Sequence, residues 1–264
     1  MCLQSGENMG QSGNPPKIIV EPTVEAAVEF VAGLFKTIVC EAASQRSACR
    51  MALAGGTTPR ALYQRLAEDP SGEQVPWSQV EVFFGDERDV PLDHVESNYR
   101  MVQRTLLDHV PIHPMRVHPM RADAEDIEAT AAEYERTVRQ LVPAGQDGVP
   151  CFDLVLLGMG GDGHTASLFP GADALRENQR LVVAYHVPVL GRKRMTVTFP
   201  LINAARNVVL LVTGADKAQS VAVLLGPDTE ARKALPAAGV NPAAGMLSIV
   251  LDAEAARSAG LKAG

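Results

Sequence analysis

Short apolar runs alternate with segments of helical periodicity along almost the whole chain of 264 residues. Val80–Phe84, Leu154–Leu157 and Val208–Val212 have the length and composition of buried strands. The segment from Val24 to Ala43 instead carries apolar residues at helical spacing. Strands and helices that alternate in this way predict an α/β fold, in which a mostly parallel sheet is covered by helices on both faces.

The chain is expected to form a single domain. Residues 17–264 contain no long linker and no internal repeat, and they form the predicted α/β domain. Residues 1–16 are polar and lack the basic and apolar regions of a signal peptide, so they are predicted to be a disordered tail. Within the domain, Val187–Arg194 could form an antiparallel excursion from the parallel sheet.

The composition excludes several classes of protein. A chain with 46% hydrophobic residues and a net charge of −7 can bury a full core but is a poor binder of nucleic acid or of anionic membranes. It has no apolar stretch of about 18 residues, the length that spans a membrane. The four cysteines show neither metal-binding spacing nor a disulfide framework, which predicts a reducing, cytoplasmic location. We expect no metal and no cofactor.

A glycine-rich turn follows the predicted strand Asp153–Leu157 and carries Asp162 and His164. Glycine permits positive φ angles and close approach of a ligand, and histidine exchanges protons near neutral pH. Loops after the strands of a parallel sheet are where ligands bind, so the turn predicts an active site. A capping or core role for His164 is the alternative. The partial G-x-G-x-x-G pattern also leaves open a dinucleotide-binding oxidoreductase.

The loop before the helix predicted over Pro59–Ala67 is a candidate anion site. Gly55, Gly56, Thr57 and Thr58 lie where backbone N–H groups at a helix N-terminus can hold a phosphate. Thr58 is the predicted N-cap and Pro59 the first helical residue. A well-capped helix without a ligand is the alternative.

Two further loops carry charged residues after apolar strands. Asp86 and Arg88 follow Val80–Phe84, and arginine suits oxygen anions, although a solvated salt-bridge cluster is the alternative. The nearby Ser97-Asn98-Tyr99 segment is expected to cap the next helix and support this loop. Lys217 is predicted in the first turn of a helix, where the helix dipole disfavours a cation unless an anion binds; a lysine that reaches into solvent is the alternative.

Five segments within roughly residues 17–225 are specific in combination: LAGGTTPRALYQRLA, FFGDERDVP with SNYRM, LLGMGGDGHTASLFPG, RMTVTFPLIN and VTGADKA. In this order they resemble the motifs of the 6-phosphogluconolactonase family. The resemblance implies a Rossmann-like sheet of the sugar-phosphate isomerase type. It also implies hydrolysis of 6-phosphoglucono-δ-lactone to 6-phosphogluconate in the oxidative pentose phosphate pathway.

The related glucosamine-6-phosphate deaminases are similar at three of these segments. They carry a glutamate five residues after the histidine, where this chain has Phe169, and an aromatic residue in place of Arg88. One departure points the other way, because lactonases often carry a lysine at the position of Val189, for which Arg192 or Lys193 could substitute. A deaminase-like enzyme and an inactive sugar-phosphate sensor therefore stay as alternatives.

The resemblance implies hydrolysis without a metal or a covalent intermediate. His164 would be the general base, Asp162 would orient its ring, and Arg88 would face the developing negative charge. The expected partner is a small sugar-phosphate lactone, and the protein is expected to be a monomer or a weak homo-oligomer. The residues assigned to substrate binding are Gly55, Gly56, Thr57, Thr58, Asp86, Arg194 and Lys217.

Overall fold

A computed structural model describes residues 14–68 and 75–264 of the chain. Most of the tail predicted over residues 1–16 lies outside these ranges. The strands are β1 (Lys17–Glu21), β2 (Cys49–Leu53), β3 (Val80–Phe84), β4 (Asp86–Arg88), β5 (Leu154–Leu157), β6 (Val182–Val187), β7 (Arg192–Val197), β8 (Asn207–Val212) and β9 (Met246–Asp252). The α-helices are α1 (Val24–Arg46), α2 (Thr57–Ala67), α3 (Asn98–Thr105), α4 (Ile127–Leu141), α5 (Phe199–Asn203), α6 (Ala218–Leu225), α7 (Glu230–Lys233) and α8 (Ala253–Ala256).

The main sheet is six-stranded and parallel, with the strand order β1-β9-β8-β5-β2-β3. Strands β2 and β5 are neighbours, but the chain continues from β2 to β3 on one side and from β5 to β8 and β9 on the other. This reversal is a topological switch point. In α/β sheets such a point opens a crevice beyond the carboxyl ends of the strands, where ligands bind.

A second, antiparallel sheet has the order β4-β7-β6. The expected antiparallel excursion over Val187–Arg194 is therefore part of a complete hairpin, and the strand predicted at Met195–Phe199 begins earlier, at Arg192. The connection between β6 and β7 is too short for a crossover, so the two strands must pair antiparallel. The Val197 N–H donates to the Gly85 carbonyl at 2.9 Å, which attaches this sheet to the end of β3.

Local sequence explains most of the element ends. Helix α1 begins after Thr23, whose hydroxyl accepts a hydrogen bond from the Ala26 N–H at 3.2 Å, and its apolar stripe packs into the core. Helix α4 begins at Ile127, after its N-cap Asp126, and therefore later than the predicted Asp123. Helix α3 ends at Thr105 instead of Val110. Within the described ranges, no helix combines the length and apolar character needed to cross a membrane.

Candidate active site

A cleft of about 380 Å³ opens at the switch point, between the loops that follow β2, β5 and β8 and the wall formed by β4 and β7. The structure brings the predicted site residues together here, although they come from distant parts of the sequence. Every one of them except Asp162 lines the cleft: Gly55, Gly56, Thr57, Thr58, Asp86, Arg88, His164, Arg194 and Lys217.

Asp162 lies directly behind His164 and contacts its ring. The Asp162 Oδ1 atom is 2.6 Å from His164 Nδ1 and also accepts a hydrogen bond from the His164 backbone N–H at 3.1 Å. Partial burial by itself would raise the pKa of Asp162, but the hydrogen bonds from His164 and its charge outweigh burial and lower that pKa below its usual value. An ionised carboxylate accepts the proton of Nδ1, so Nε2 is the ring nitrogen that is left to act as a base.

Gly160 leaves the space that this pair occupies. A side-chain Cβ at this position would overlap both the His164 ring and the Asp162 carboxylate. Close packing against the imidazole therefore requires glycine at this position. The sequence pattern indicated only that the turn as a whole allows close approach.

The segment after His164 is a tight turn and not the start of a helix. The Leu168 N–H donates to the Thr165 carbonyl at 2.9 Å, and Ala166 between them has a φ of 47°. This turn buries Ser167 and directs its hydroxyl to Asp86, where Ser167 Oγ donates to Asp86 Oδ2 at 2.6 Å. Ser167 therefore positions the Asp86 carboxylate.

Asp86 forms part of the cleft wall and is only 7% exposed. Besides the bond from Ser167, its Oδ1 atom accepts a hydrogen bond from Asn98 Nδ2 at 3.1 Å. Two donors therefore fix the orientation of this carboxylate. Its remaining lone pairs can accept hydrogen bonds from hydroxyl groups in the cleft.

The neighbouring Glu87 points away from the cleft and is fully buried. Burial raises the pKa of Glu87, while backbone N–H groups of Tyr99, Asn98 and Arg88 oppose that rise. Ser97 adds a hydroxyl donor at 3.0 Å. These hydrogen bonds join the Glu87 carboxylate to the start of α3. The prediction that the 97–99 segment caps that helix and supports the Asp86 loop is confirmed.

Arg88 and Arg194 are directly opposite each other in the β4–β7 pairing. Burial and the nearby Arg88 lower the pKa of Arg194, while Asp86 and Asp89 act in the opposite direction. Arg194 is nevertheless a cation, because the guanidinium keeps its proton across the physiological range. Two like charges at opposite positions of a sheet repel each other, so this wall can accept a bound anion even though Asp89 lies 3.6 Å from Arg194.

Arg192 and Lys193 do not line the cleft. Arg192 instead pairs with Glu96 at 2.9 Å and with Asp89 at 3.3 Å. Lys193 lines a separate groove beside the N-terminus of α4. Neither residue is therefore placed to replace the lysine that lactonases often carry at the position of Val189.

The N-terminus of α2 opens into the cleft. The predicted N-cap, Thr58, is wrong: the helix begins at Thr57, and Gly56 is the N-cap with a φ of 107°. Gly56 has no side chain with which to accept the first N–H groups of the helix, which have no partner within the helix. Thr58 instead shares a hydrogen bond of 2.8 Å with Thr213, across the end of β5.

Lys217 approaches this helix end from the loop after β8. It ends the 3₁₀ turn Ala215–Lys217 and is the N-cap residue of α6, so the predicted position in the first helical turn is off by one residue. Its Nζ atom pairs with the exposed Asp216 at 2.7 Å. Because Asp216 is exposed to solvent, this pair offsets only part of the lysine charge, and Lys217 can still attract an anion in the cleft.

Sequence reasoning missed several contributors to the cleft. Asn98 and Thr213 line it, and Ser167 orients Asp86, but none of the three was assigned to binding. No sequence signal identifies Thr213 or Ser167, because each acquires its role from a residue far away along the chain. Asn98 was expected only to support the Asp86 loop and not to line the cleft. Leu190, at the tip of the β6–β7 hairpin, also borders the cleft.

Known proteins resemble this chain in sequence over most of its length. The sequence profile described as "Glucosamine-6-phosphate isomerases/6-phosphogluconolactonase" matches residues 22–249. A 6-phosphogluconolactonase of Synechocystis sp. is 38% identical over 240 residues, 91% of this chain and 97% of that protein. A 6-phosphogluconolactonase of Streptomyces coelicolor is 38% identical over 247 residues, 91% of this chain and 94% of that protein.

A solved structure agrees with the sequence relatives. The 6-phosphogluconolactonase of Trypanosoma brucei superimposes with a TM-score of 0.81 and 33% identity, and the match covers 92% of this chain and 98% of that one. Both the sequence matches and this structural match extend over almost the full length of the relatives. The chain therefore belongs to the glucosamine-6-phosphate isomerase/6-phosphogluconolactonase family.

Proposed function

We propose that this protein hydrolyses 6-phosphoglucono-δ-lactone to 6-phosphogluconate, in the oxidative pentose phosphate pathway. One observation carries the proposal. His164, which Asp162 orients, lines the same cleft as Arg88, Arg194 and Lys217, so a base and a set of cations meet in one place. A lactone that carries a phosphate needs both features. The names of the relatives at 38% identity support the same activity.

In the proposed reaction, His164 removes a proton from water as the water oxygen attacks the lactone carbonyl. The C–O bond to the ring oxygen then breaks, and the imidazolium returns its proton to that oxygen. Asp162 holds the ring in the productive tautomer and stabilises the imidazolium. Arg88 stabilises the negative charge that develops on the carbonyl oxygen. Because a lactone is an activated ester, no covalent intermediate is required.

We assign the phosphate to the open end of α2. The N–H groups of Gly56, Thr57 and Thr58 and the helix dipole attract an anion there. Lys217 and Arg194, which line the same cleft, add two positive charges. Asp86, held by its two donors, accepts hydrogen bonds from the sugar hydroxyls.

Lys217→Ala should raise KM for the phosphorylated lactone by about one to two decades, because a hydrogen bond to a charged group contributes roughly 1.5–3 kcal/mol. KM for unphosphorylated glucono-δ-lactone should change far less. Steady-state kinetics with both substrates measures the difference. Lys193→Ala is the matched control, since this lysine lies outside the cleft. Equal effects of Lys217→Ala on both substrates would remove Lys217 from the phosphate site.

The direct test of function is the decay of freshly generated 6-phosphogluconolactone with and without the protein. We expect an accelerated decay whose rate is proportional to protein concentration. A decay equal to the spontaneous one, together with saturable binding of 6-phosphogluconate, would identify a sensor instead. Saturable binding of a dinucleotide would favour an oxidoreductase.

We also propose that the enzyme acts in the cytoplasm, as a monomer or a weak homo-oligomer. The cysteines Cys49 and Cys151 are present as thiols, and burial raises the pKa of both, so both stay protonated. Thiols of this kind suit a reducing compartment.

A further inference from the structure

Phe169 packs face to face against His164. The centroids of the two rings are 4.4 Å apart, and their planes are inclined by 26°. Phe169 is only 8% exposed, whereas about a third of the His164 side chain (32%) is open to the cleft. A buried phenyl ring therefore packs against an imidazole that is partly exposed to solvent.

Asp162 and Gly160 restrain one edge of the imidazole. Asp162 holds Nδ1 by a hydrogen bond, and Gly160 packs closely beside Nδ1 and Cε1. Phe169 adds contact with a flat aromatic face, which resists tilting of the ring because a tilt would open a gap or create a clash. Asp162 and Phe169 together thus define both the edge and the plane of the base.

The Phe169 face also has an electrostatic consequence. The faces of aromatic rings carry partial negative charge and attract cations placed over them. In the proposed reaction His164 becomes an imidazolium when it takes the proton of the attacking water. The stacked ring therefore favours the charged intermediate over the neutral resting base.

We propose that Phe169 is a positioning residue of the hydrolytic reaction, which holds the His164 ring in its reactive plane and stabilises the imidazolium formed during turnover. This inference rests on the proposed lactonase function. It assigns to Phe169 a role in the chemical step, whereas the sequence comparison with the deaminases showed only that no acid stands at this position.

The test compares Phe169→Leu with Phe169→Tyr. Leucine retains an apolar side chain but removes the aromatic face, so kcat should fall about 2- to 30-fold, while KM changes less than about twofold. Tyrosine retains the face and should keep kcat close to that of the unmodified protein. Unchanged kcat in Phe169→Leu would overturn the proposal. An equal loss in both variants would also overturn it, because side-chain shape and not the aromatic face would then be responsible.

Two controls separate positioning from general structural damage. Phe152→Leu removes a buried phenylalanine that does not line the cleft; it should lower thermal stability but leave kcat unchanged. Binding of 6-phosphogluconate to Phe169→Leu should match that of the unmodified protein, and a large loss of binding would contradict a role confined to His164. If the unmodified protein does not accelerate lactone decay, the proposed function itself fails. If it does so and Phe169→Leu is fully active, only this inference fails.

Discussion

Replacing His164 by alanine is expected to lower kcat for hydrolysis of 6-phosphoglucono-δ-lactone by at least about 10²-fold, the lower range for a general acid–base group. The imidazole is the group that Asp162 orients at 2.6 Å, and it faces the cleft. Without it, water must attack the carbonyl with no base to accept its proton. KM should change much less than kcat, because the proposed phosphate and hydroxyl contacts remain.

The measurement must account for the spontaneous hydrolysis of the lactone, so decay is followed from freshly generated substrate and the rate without protein is subtracted. His109→Ala is the matched control, since this histidine is exposed, lies outside the cleft and has its ring beside the Arg104 carbonyl. A folded His164→Ala protein with nearly full activity would show that another group is the base.

A second prediction concerns which of two reactions the protein catalyses. We expect rapid hydrolysis of 6-phosphogluconolactone and no measurable release of ammonia from glucosamine 6-phosphate. Deamination first requires a closed sugar ring to open, and then requires movement of a proton at C2. Phe169 occupies the position where the deaminases carry the acid for ring opening, and a phenyl ring transfers no protons.

The structure also accounts for the other carboxylates near the site. Glu87 is fully buried and accepts hydrogen bonds from the start of α3, so it does not reach the cleft. Asp89 is engaged by Arg192 and Arg194. Asp86 lines the cleft and could act at C2, which makes the missing acid for ring opening the deciding difference.

An ammonia-release assay on glucosamine 6-phosphate, run beside the lactone assay on the same preparation, tests this choice. Lactone hydrolysis serves as the control for a folded and active protein. Ammonia release at ordinary enzymatic rates, on the order of 1–10³ per second, would overturn the lactonase assignment.

The sequence alone predicted the six strands of the main sheet, helices α1 to α4 and α6, and the loops that carry the chemistry, but not the short elements β4, α5, α7 and α8. Strand β5 is a run of four buried aliphatic residues, and α1 begins at a threonine cap; both follow from residues that are neighbours in the chain. The glycine-rich turn with Asp162 and His164 was predicted for the same reason, because the pair is only two residues apart and its hydrogen bond is local.

Only the tertiary structure decided how the loops combine. Arg88 lies opposite Arg194, and the bond from Ser167 to Asp86 joins residues 81 positions apart. Local periodicity contains no information on such pairs, since it reports which face of an element is buried but not which element covers it. For that reason the separate β4-β7-β6 sheet was visible only once the chain was folded. The contact of Phe169 with His164 is close in sequence, but it depends on the tight turn at Ala166, whose positive φ the sequence pattern does not reveal.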